Sequence, residues 1–254
     1  MNKRVWGVLA GTVAVCGPLA AQEDPALEDW EREDVVERPV NDPLEGVNRA
    51  VYRFNQEVDR YVLKPVAQGY DTVLPDPAKT GVSNFFDNAY EPVVILNQFL
   101  QGKVHYGMQG IARMALNTTV GLGGLVDVAS RMEYPLPRRK EDFGQTLAVW
   151  GVGEGPYLVL PFFGPSNLRD ALGLVPDWYA QPINHIDDEA VYWSLTALDA
   201  VDARYRLLAA GSVLDEAAMD PYAFVRSAYN QNRARLIEDQ DAAPVPGAGD
   251  FGAH

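Results

Sequence analysis

The sequence is poor in the residues from which metal centres and most nucleophilic sites are built. It has one cysteine, Cys16, and three histidines, His105, His185 and the terminal His254. A disulfide within the chain is excluded, and so is a cysteine-rich zinc cage. No HExxH, CxxC or EF-hand spacing occurs, so neither a metal nor another cofactor is expected. Basic charge is also scarce, with 21 Lys and Arg against 35 Asp and Glu and a formal net charge of −14. That balance argues against nucleic acid as a partner and against simple electrostatic docking on anionic lipid. Beyond residues 5–15, no stretch approaches the roughly 18 consecutive apolar residues of a spanning helix. Alternating strand patterns are nearly absent too, so no sheet is implied.

What the chain does have begins at its N-terminus. Lys3 and Arg4 precede an uncharged apolar run over residues 5–15, followed by Gly17, Pro18 and Leu19-Ala20-Ala21, which is a secretory signal pattern. Cleavage after Ala21 makes residues 1–21 the signal and starts the mature chain near Gln22. Cys16 is the lipidation candidate, because it stands where an exported lipoprotein carries its acylated residue. The preceding Val13-Ala14-Val15 lacks the leucine and the small residue that such processing favours, so the sequence leans towards plain cleavage while leaving both routes open. On either route the protein is exported. Losing Lys3 and Arg4 takes the charge to −16, so any membrane contact must be apolar or made through a partner.

Residues 22–40 form an acidic stretch, with eight acids between 23 and 37 against Arg32 alone; such a segment is expected to be a disordered tether. Residues 241–254, rich in Ala, Pro and Gly, read as a disordered tail. Between them, residues 41–240 are expected to make one all-α domain of amphipathic helices. Asp42, Pro43 and Glu45 have the spacing of a helix start, and Val47, Val51, Phe54, Val58 and Val62 then recur on one face until Pro65 kinks or ends the helix. Asp76-Pro77 and Asp220-Pro221 repeat the start signal. Residues 92–100 and the stripe Val104, Met108, Ile111 and Ala115 suggest a helical hairpin, and residues 187–210 one further helix with Gly211 as its C-cap. Tyr157 to Leu160 is either a short strand or an extended loop.

The motifs that resemble active sites fail on inspection. In Gly164-Pro165-Ser166-Asn167-Leu168 a leucine occupies the place of the second glycine of a nucleophile elbow, so Ser166 reads as a helix cap. The loops at residues 121–126 and 151–156 both lack the third glycine of a dinucleotide fingerprint. Asp187-Asp188-Glu189 reads as acids at a helix N-terminus, not as ligands. The glycine loops flank the polar segment 131–142, which has the character of a functional hairpin excursion.

Taken in order, the landmarks are dense. They include Asn41-Asp42-Pro43-Leu44-Glu45-Gly46-Val47-Asn48-Arg49, Ser83-Asn84-Phe85, Leu100-Gln101-Gly102 and the run from Asn117-Thr118-Thr119 through Gly121-Leu122-Gly123-Gly124 to Asp127-Val128-Ala129. Glu141-Asp142-Phe143-Gly144-Gln145-Thr146-Leu147, Gly151-Val152-Gly153, Gly155 to Gly164, Leu168-Arg169-Asp170 and Asp220-Pro221-Tyr222 follow. From Asn41 to Asn232 this order resembles the VacJ/MlaA family of outer-membrane phospholipid-transport proteins. The resemblance implies a helical ring at the bacterial outer membrane, on its periplasmic side, beside a trimeric porin. Misplaced phospholipid would leave the outer leaflet through a central amphipathic channel for a soluble periplasmic carrier, keeping the membrane asymmetric. It further implies that Asn117, Thr118, Gly121, Gly123, Gly124 and Asp127, with Phe143, Gly144, Gln145 and Gly151, border the channel and its hairpin, and that Arg169 and Asp170 support them. No catalytic residue is implied. Two other readings are a periplasmic lipid hydrolase or acyltransferase using Ser83 or Ser166 with His105, and a porin scaffold that moves no lipid.

Overall fold

A computed structural model describes residues 41–209 and 220–238. The signal, Cys16, the acidic stretch 22–40 and the C-terminal tail lie outside the described residues. Helix α1, Glu45–Val58, passes through a widened π-turn, Asp59–Leu63, into α2, Lys64–Val73. Pro65 therefore does not end the helix: it lies at the start of α2, where the widened turn before it accommodates a residue without an amide hydrogen. Nor does Asp42 cap α1. The N-cap is Leu44, without a side-chain bond. Asp42 instead turns inward and accepts hydrogen bonds from Asn48 Nδ2 at 2.8 Å, Arg226 Nη1 at 2.9 Å and the Tyr222 hydroxyl. A charge meant for a helix end thus ties the first helix to the last.

Helix α3, Asp76–Leu100, is one helix of 25 residues that runs through Pro92, where the sequence suggested two. A turn at Gly102 folds α4, Val104–Thr119, back against it. Short α5, Phe143–Val149, is capped by Asp142, which accepts from the Gln145 amide at 2.9 Å. Strands β1, Tyr157–Leu160, and β2, Gly164–Asn167, pair antiparallel with Tyr157 opposite Asn167, so a small hairpin exists where the sequence implied no sheet. Asn167, not Ser166, caps α6, Leu168–Ala180. Helix α7, Glu189–Arg206, is capped by Asp188, as acids at that position led us to expect. It ends at Leu207, ahead of Gly211, which lies outside the described residues. Helix α8, Pro221–Ile237, starts on an Asp220 cap to the Tyr222 and Ala223 amides, the Asp-Pro signal read from sequence.

The outer edge of β1 is closed by side chains. Tyr157 donates its amide to the Asn41 carbonyl at 2.9 Å. Asn48 of α1 donates to the Tyr157 carbonyl at 3.0 Å and accepts from the Val159 amide at 2.9 Å, copying a strand backbone. Seven residues along the helix, Asn55 does the same for the Leu160 carbonyl and the Phe162 amide, both at 2.9 Å. Tyr157, Val159 and Tyr222 form a small buried apolar cluster beside this clamp.

The clamp turns Asn48 and Asn55 of α1 inward, and of the apolar stripe Val51 packs against this cluster while other members face out. Asn48 is 2% exposed, whereas Val47, Phe54 and Val62 on the apolar stripe are 62, 47 and 54% exposed. The reversal is general. Among the described residues, nine hydrophobic side chains are buried against sixteen polar or charged ones, and thirty-three large hydrophobic side chains are exposed. A water-surrounded domain buries the opposite set. Such an apolar exterior needs lipid or protein around it. No helix among the described residues is long and apolar enough to cross a membrane.

Candidate functional site

A polar interior is stable only if its groups find partners, and three networks supply them. In the first, Arg113 donates to Asp127 at 2.7 Å, to Ser130 at 2.8 Å and to the Leu136 carbonyl at 2.8 Å, while Asn117 bridges Asp127 and the Ala129 amide at 3.0 Å each. Burial acts against the Asp127 charge, but the bonds from Arg113, Ser130 and Asn117 outweigh it and hold its pKa down at about 2. In the second, Asp177 of α6 accepts from the Phe143 amide at 3.0 Å and from Asn97 at 2.9 Å, and Thr146 donates to Asn97 at 2.7 Å. In the third, Arg233 of α8 joins Asp142 at 2.6 Å to Asp170 at 2.9 Å. Arg169 lies against Asp170 at 2.9 Å, and Gly144 is wedged among these groups, so close that a β-carbon there would stand 2.4 Å from Arg233.

Apart from Cys16, every site residue named from sequence lies among the described residues, in these networks or in the loops beside them. Asn117, Asp127 and the loop of Gly121, Gly123 and Gly124 close the end of α4, with Thr118 accepting from Asn88 at 3.0 Å. Phe143, Gly144, Gln145, Arg169 and Asp170 form the α5–α6–α8 junction. Gly151, with φ +89°, makes the turn after α5.

Two adjoining open rooms among the described residues lie elsewhere, and none of those residues lines them. The larger, about 730 Å³, is walled by the β1–β2 turn and α6: Leu160, Pro161, Phe163, Ala171, Leu174, Val175, Trp178 and Tyr179, with Tyr90, Asp177 and Gln181 completing the lining and Asp177 its one carboxylate. Its size and apolar character are those of a site for a bulky apolar ligand. The smaller, about 400 Å³, is lined by Phe86, Asp87, Tyr90, Arg138, Lys140, Gln181, Asp199, Ala203, Arg206 and Leu207. Tyr90 and Gln181 belong to both, so an apolar room and a charged room share a wall. The polar segment 131–142 contributes Arg138 and Lys140. Sequence reasoning missed Tyr90, Asp177, Gln181 and Asp199. Asp177 alone carried a signal, a single carboxylate between Leu174-Val175 and Trp178-Tyr179 on a helix.

Burial pushes the Asp177 carboxyl up to about 6, against the opposing bonds from Phe143 and Asn97. It pushes Glu91, 3% exposed, up to about 7, although Arg113 stands 4.0 Å away and works the other way. Between the ordinary carboxyl value and these raised ones, the folded chain keeps protons that the unfolded chain releases, so stability falls as pH rises. Asp127 acts in the opposite sense, but only below about pH 4. The melting temperature in detergent is thus expected to drop from pH 5 to pH 8, with a loss on the order of 2 kcal/mol from Glu91. Glu91→Gln should flatten the curve above pH 6; a wild-type melt that rises with pH contradicts the assignment.

The glycine loop allows a sharper test. Gly123, φ +72°, has nothing within 4 Å of an added β-carbon, whereas at Gly124, φ +94°, that carbon would fall 2.7 Å from Asn88 Cβ. Gly123→Ala should cost about 1 kcal/mol for backbone conformation alone. Gly124→Ala should lower the melting temperature clearly further, since Asn88 must also give way; equal effects would refute the packing account.

The serine and histidine candidates are each otherwise engaged. Ser83 donates to Asp202 at 2.8 Å, Ser166 to the Asn167 carbonyl at 3.3 Å, and His105 pairs with Gln109 at 3.0 Å.

Residues 40–236 match the family model described as MlaA lipoprotein. The intermembrane phospholipid transport system lipoprotein MlaA of Escherichia coli K12 is 40% identical over 210 residues, covering 80% of this chain and 81% of that one. Its namesake in Haemophilus influenzae is 33% identical over 222 residues, 80% of this chain and 84% of the other. Among solved structures, one from work on the structural basis for maintenance of bacterial outer membrane lipid asymmetry is 37% identical, with a TM-score of 0.68 over 77% of this chain and 98% of that one.

Proposed function

The chain belongs to the MlaA lipoprotein family, and on that premise we propose that it takes misplaced phospholipid from the outer leaflet of the outer membrane and passes it to a periplasmic carrier, maintaining lipid asymmetry. The observation that carries this reading is the inverted distribution of polarity together with the joined rooms. An apolar exterior suits a protein seated in lipid. A 730 Å³ apolar room beside a charged one suits an amphiphile with acyl chains at one end and a headgroup at the other.

We extend the proposal to three features. Residues 41–240 act as one transport domain. The residues around Asn117, Gly123 and Phe143 border the lipid path by closing its supporting loops. A trimeric porin gives lateral cover to exposed side chains such as Trp193 and Tyr61, while a soluble carrier receives the lipid. The protein is read as non-catalytic, because the serine and histidine side chains proposed for a hydrolase are each committed to other partners. Retention rests on the apolar belt, on the porin and, if Cys16 is acylated, on its lipid; mass spectrometry of the mature N-terminus distinguishes a start at Gln22 from a diacylated Cys16.

The transport reading is tested in a host lacking the gene by labelling surface-exposed aminophospholipid with a reagent that cannot cross the membrane. Labelling should rise several-fold and return to normal when the wild-type chain is supplied. Equal labelling with and without the chain would refute the reading.

A further inference from the structure

The charged room holds five charged side chains of both signs, and they are not equally occupied. Asp87 is shared by Arg138 and by Arg206, the latter at 2.8 Å. Arg206 is further bound to Asp202, 2.6 Å away, and donates to the Ser83 carbonyl at 3.2 Å. Among the described residues, the side chains of Lys140 and Asp199 enter no hydrogen bond or ion pair, with each other or with any neighbour. One free cation and one free anion therefore face the same 400 Å³ space, which opens beside the apolar room at Tyr90 and Gln181.

We propose that this room is a headgroup site selective for aminophospholipids, in which Lys140 takes the phosphate and Asp199 the ammonium group. The inference rests on the transport reading and adds a substrate preference to it. The room's three cations are matched by Asp87, Asp199 and the adjoining Asp202, so its net charge is zero in a chain of −14, and it repels a phosphate less than the rest of the surface does. Arg138 and Arg206 are already neutralised by Asp87 and Asp202, which leaves Lys140 as the available partner. A purely anionic headgroup would fill the same space but bring negative charge to Asp199 without relieving it, and like charges at close quarters discriminate strongly. An ammonium group pairs with it instead. Burial already raises the Asp199 pKa, helped by Asp202 and Asp87 and opposed by Arg206; a bound ammonium would reverse that push and keep the carboxylate charged.

The test uses the full mature chain in detergent, incubated with vesicles of equimolar phosphatidylethanolamine and phosphatidylglycerol, repurified, and its bound lipid identified by mass spectrometry. The wild type should recover ethanolamine lipid over glycerol lipid by about fivefold or more, a difference of about 1 kcal/mol. Asp199→Asn should bring the ratio towards that of the vesicles, Asp199→Lys should invert it, and Lys140→Gln should lower recovery of both lipids. Because neither side chain is committed to a structural partner, the variants should melt like the wild type. Wild-type protein that binds both lipids equally, or Asp199 variants that keep the wild-type ratio, would overturn the headgroup assignment and leave transport standing. Wild-type protein that recovers no lipid would overturn both.

Discussion

Arg233→Ala is expected to destabilise the protein by about 3 kcal/mol or more, the usual cost of removing one partner of a buried ionic group. Arg233 is 9% exposed and bridges Asp142 to Asp170. Asp170 would still have Arg169 and Asn167, but Asp142 would lose its cation and keep only Gln145. Asp142 caps α5, so the loss reaches the Phe143 amide and Asp177 at the wall of the apolar room. For a domain of this size the melting temperature should fall by about 10 °C. Arg233→Lys should recover only part of it, because an ammonium cannot bond two carboxylates in fork geometry. A melting temperature within 2 °C or so of wild type for Arg233→Ala would show that the network contributes little net stability.

The second large effect concerns function alone. Ala171 lines the apolar room on α6, so Ala171→Trp projects an indole into it. If acyl chains pass through that room, outer-leaflet phospholipid should accumulate as in a deletion, with at least about a tenfold loss of transport, since the added bulk must be expelled or accommodated at each passage. The melting temperature should hold or rise, because filling a void without displacing a neighbour is stabilising. Leu172→Trp, one residue along and exposed at the surface, is the control and should transport normally. Normal transport by Ala171→Trp would move the lipid path elsewhere.

Local chemistry accounts for what could be read in advance. Asp220 and Asp188 cap the helices their sequences announce, because capping needs only a short side chain and the next three amides. The all-helical class followed from apolar spacing. The same spacing was silent about direction: an amphipathic period shows that α1 has two faces, not which solvent each meets. Val47 and Phe54 face outward and Asn48 inward because the surroundings expected here are not water on every side. Asp42 misled for a related reason, since the partners that draw it inward, Tyr222 and Arg226, are some 180 residues away. The rooms were illegible for the same cause. Tyr90, Lys140, Asp177 and Asp199 come from four separate segments, and no local pattern announces their meeting. The glycine loops were visible as motifs, yet their geometry describes turns and close packing around the rooms rather than the lining itself.

The two asparagines of α1 that stand in for a neighbouring strand bear on how such a protein survives the journey to its membrane. A strand with open backbone donors and acceptors is a template on which a second chain can add, and growth of that kind leads to aggregates. A chain carrying this much outward apolar surface would be especially exposed to it before lipid or protein covers that surface. With Asn48 and Asn55 already seated along β1, an incoming strand finds those bonds taken, and what looks like a structural clamp also serves as protection against polymerisation.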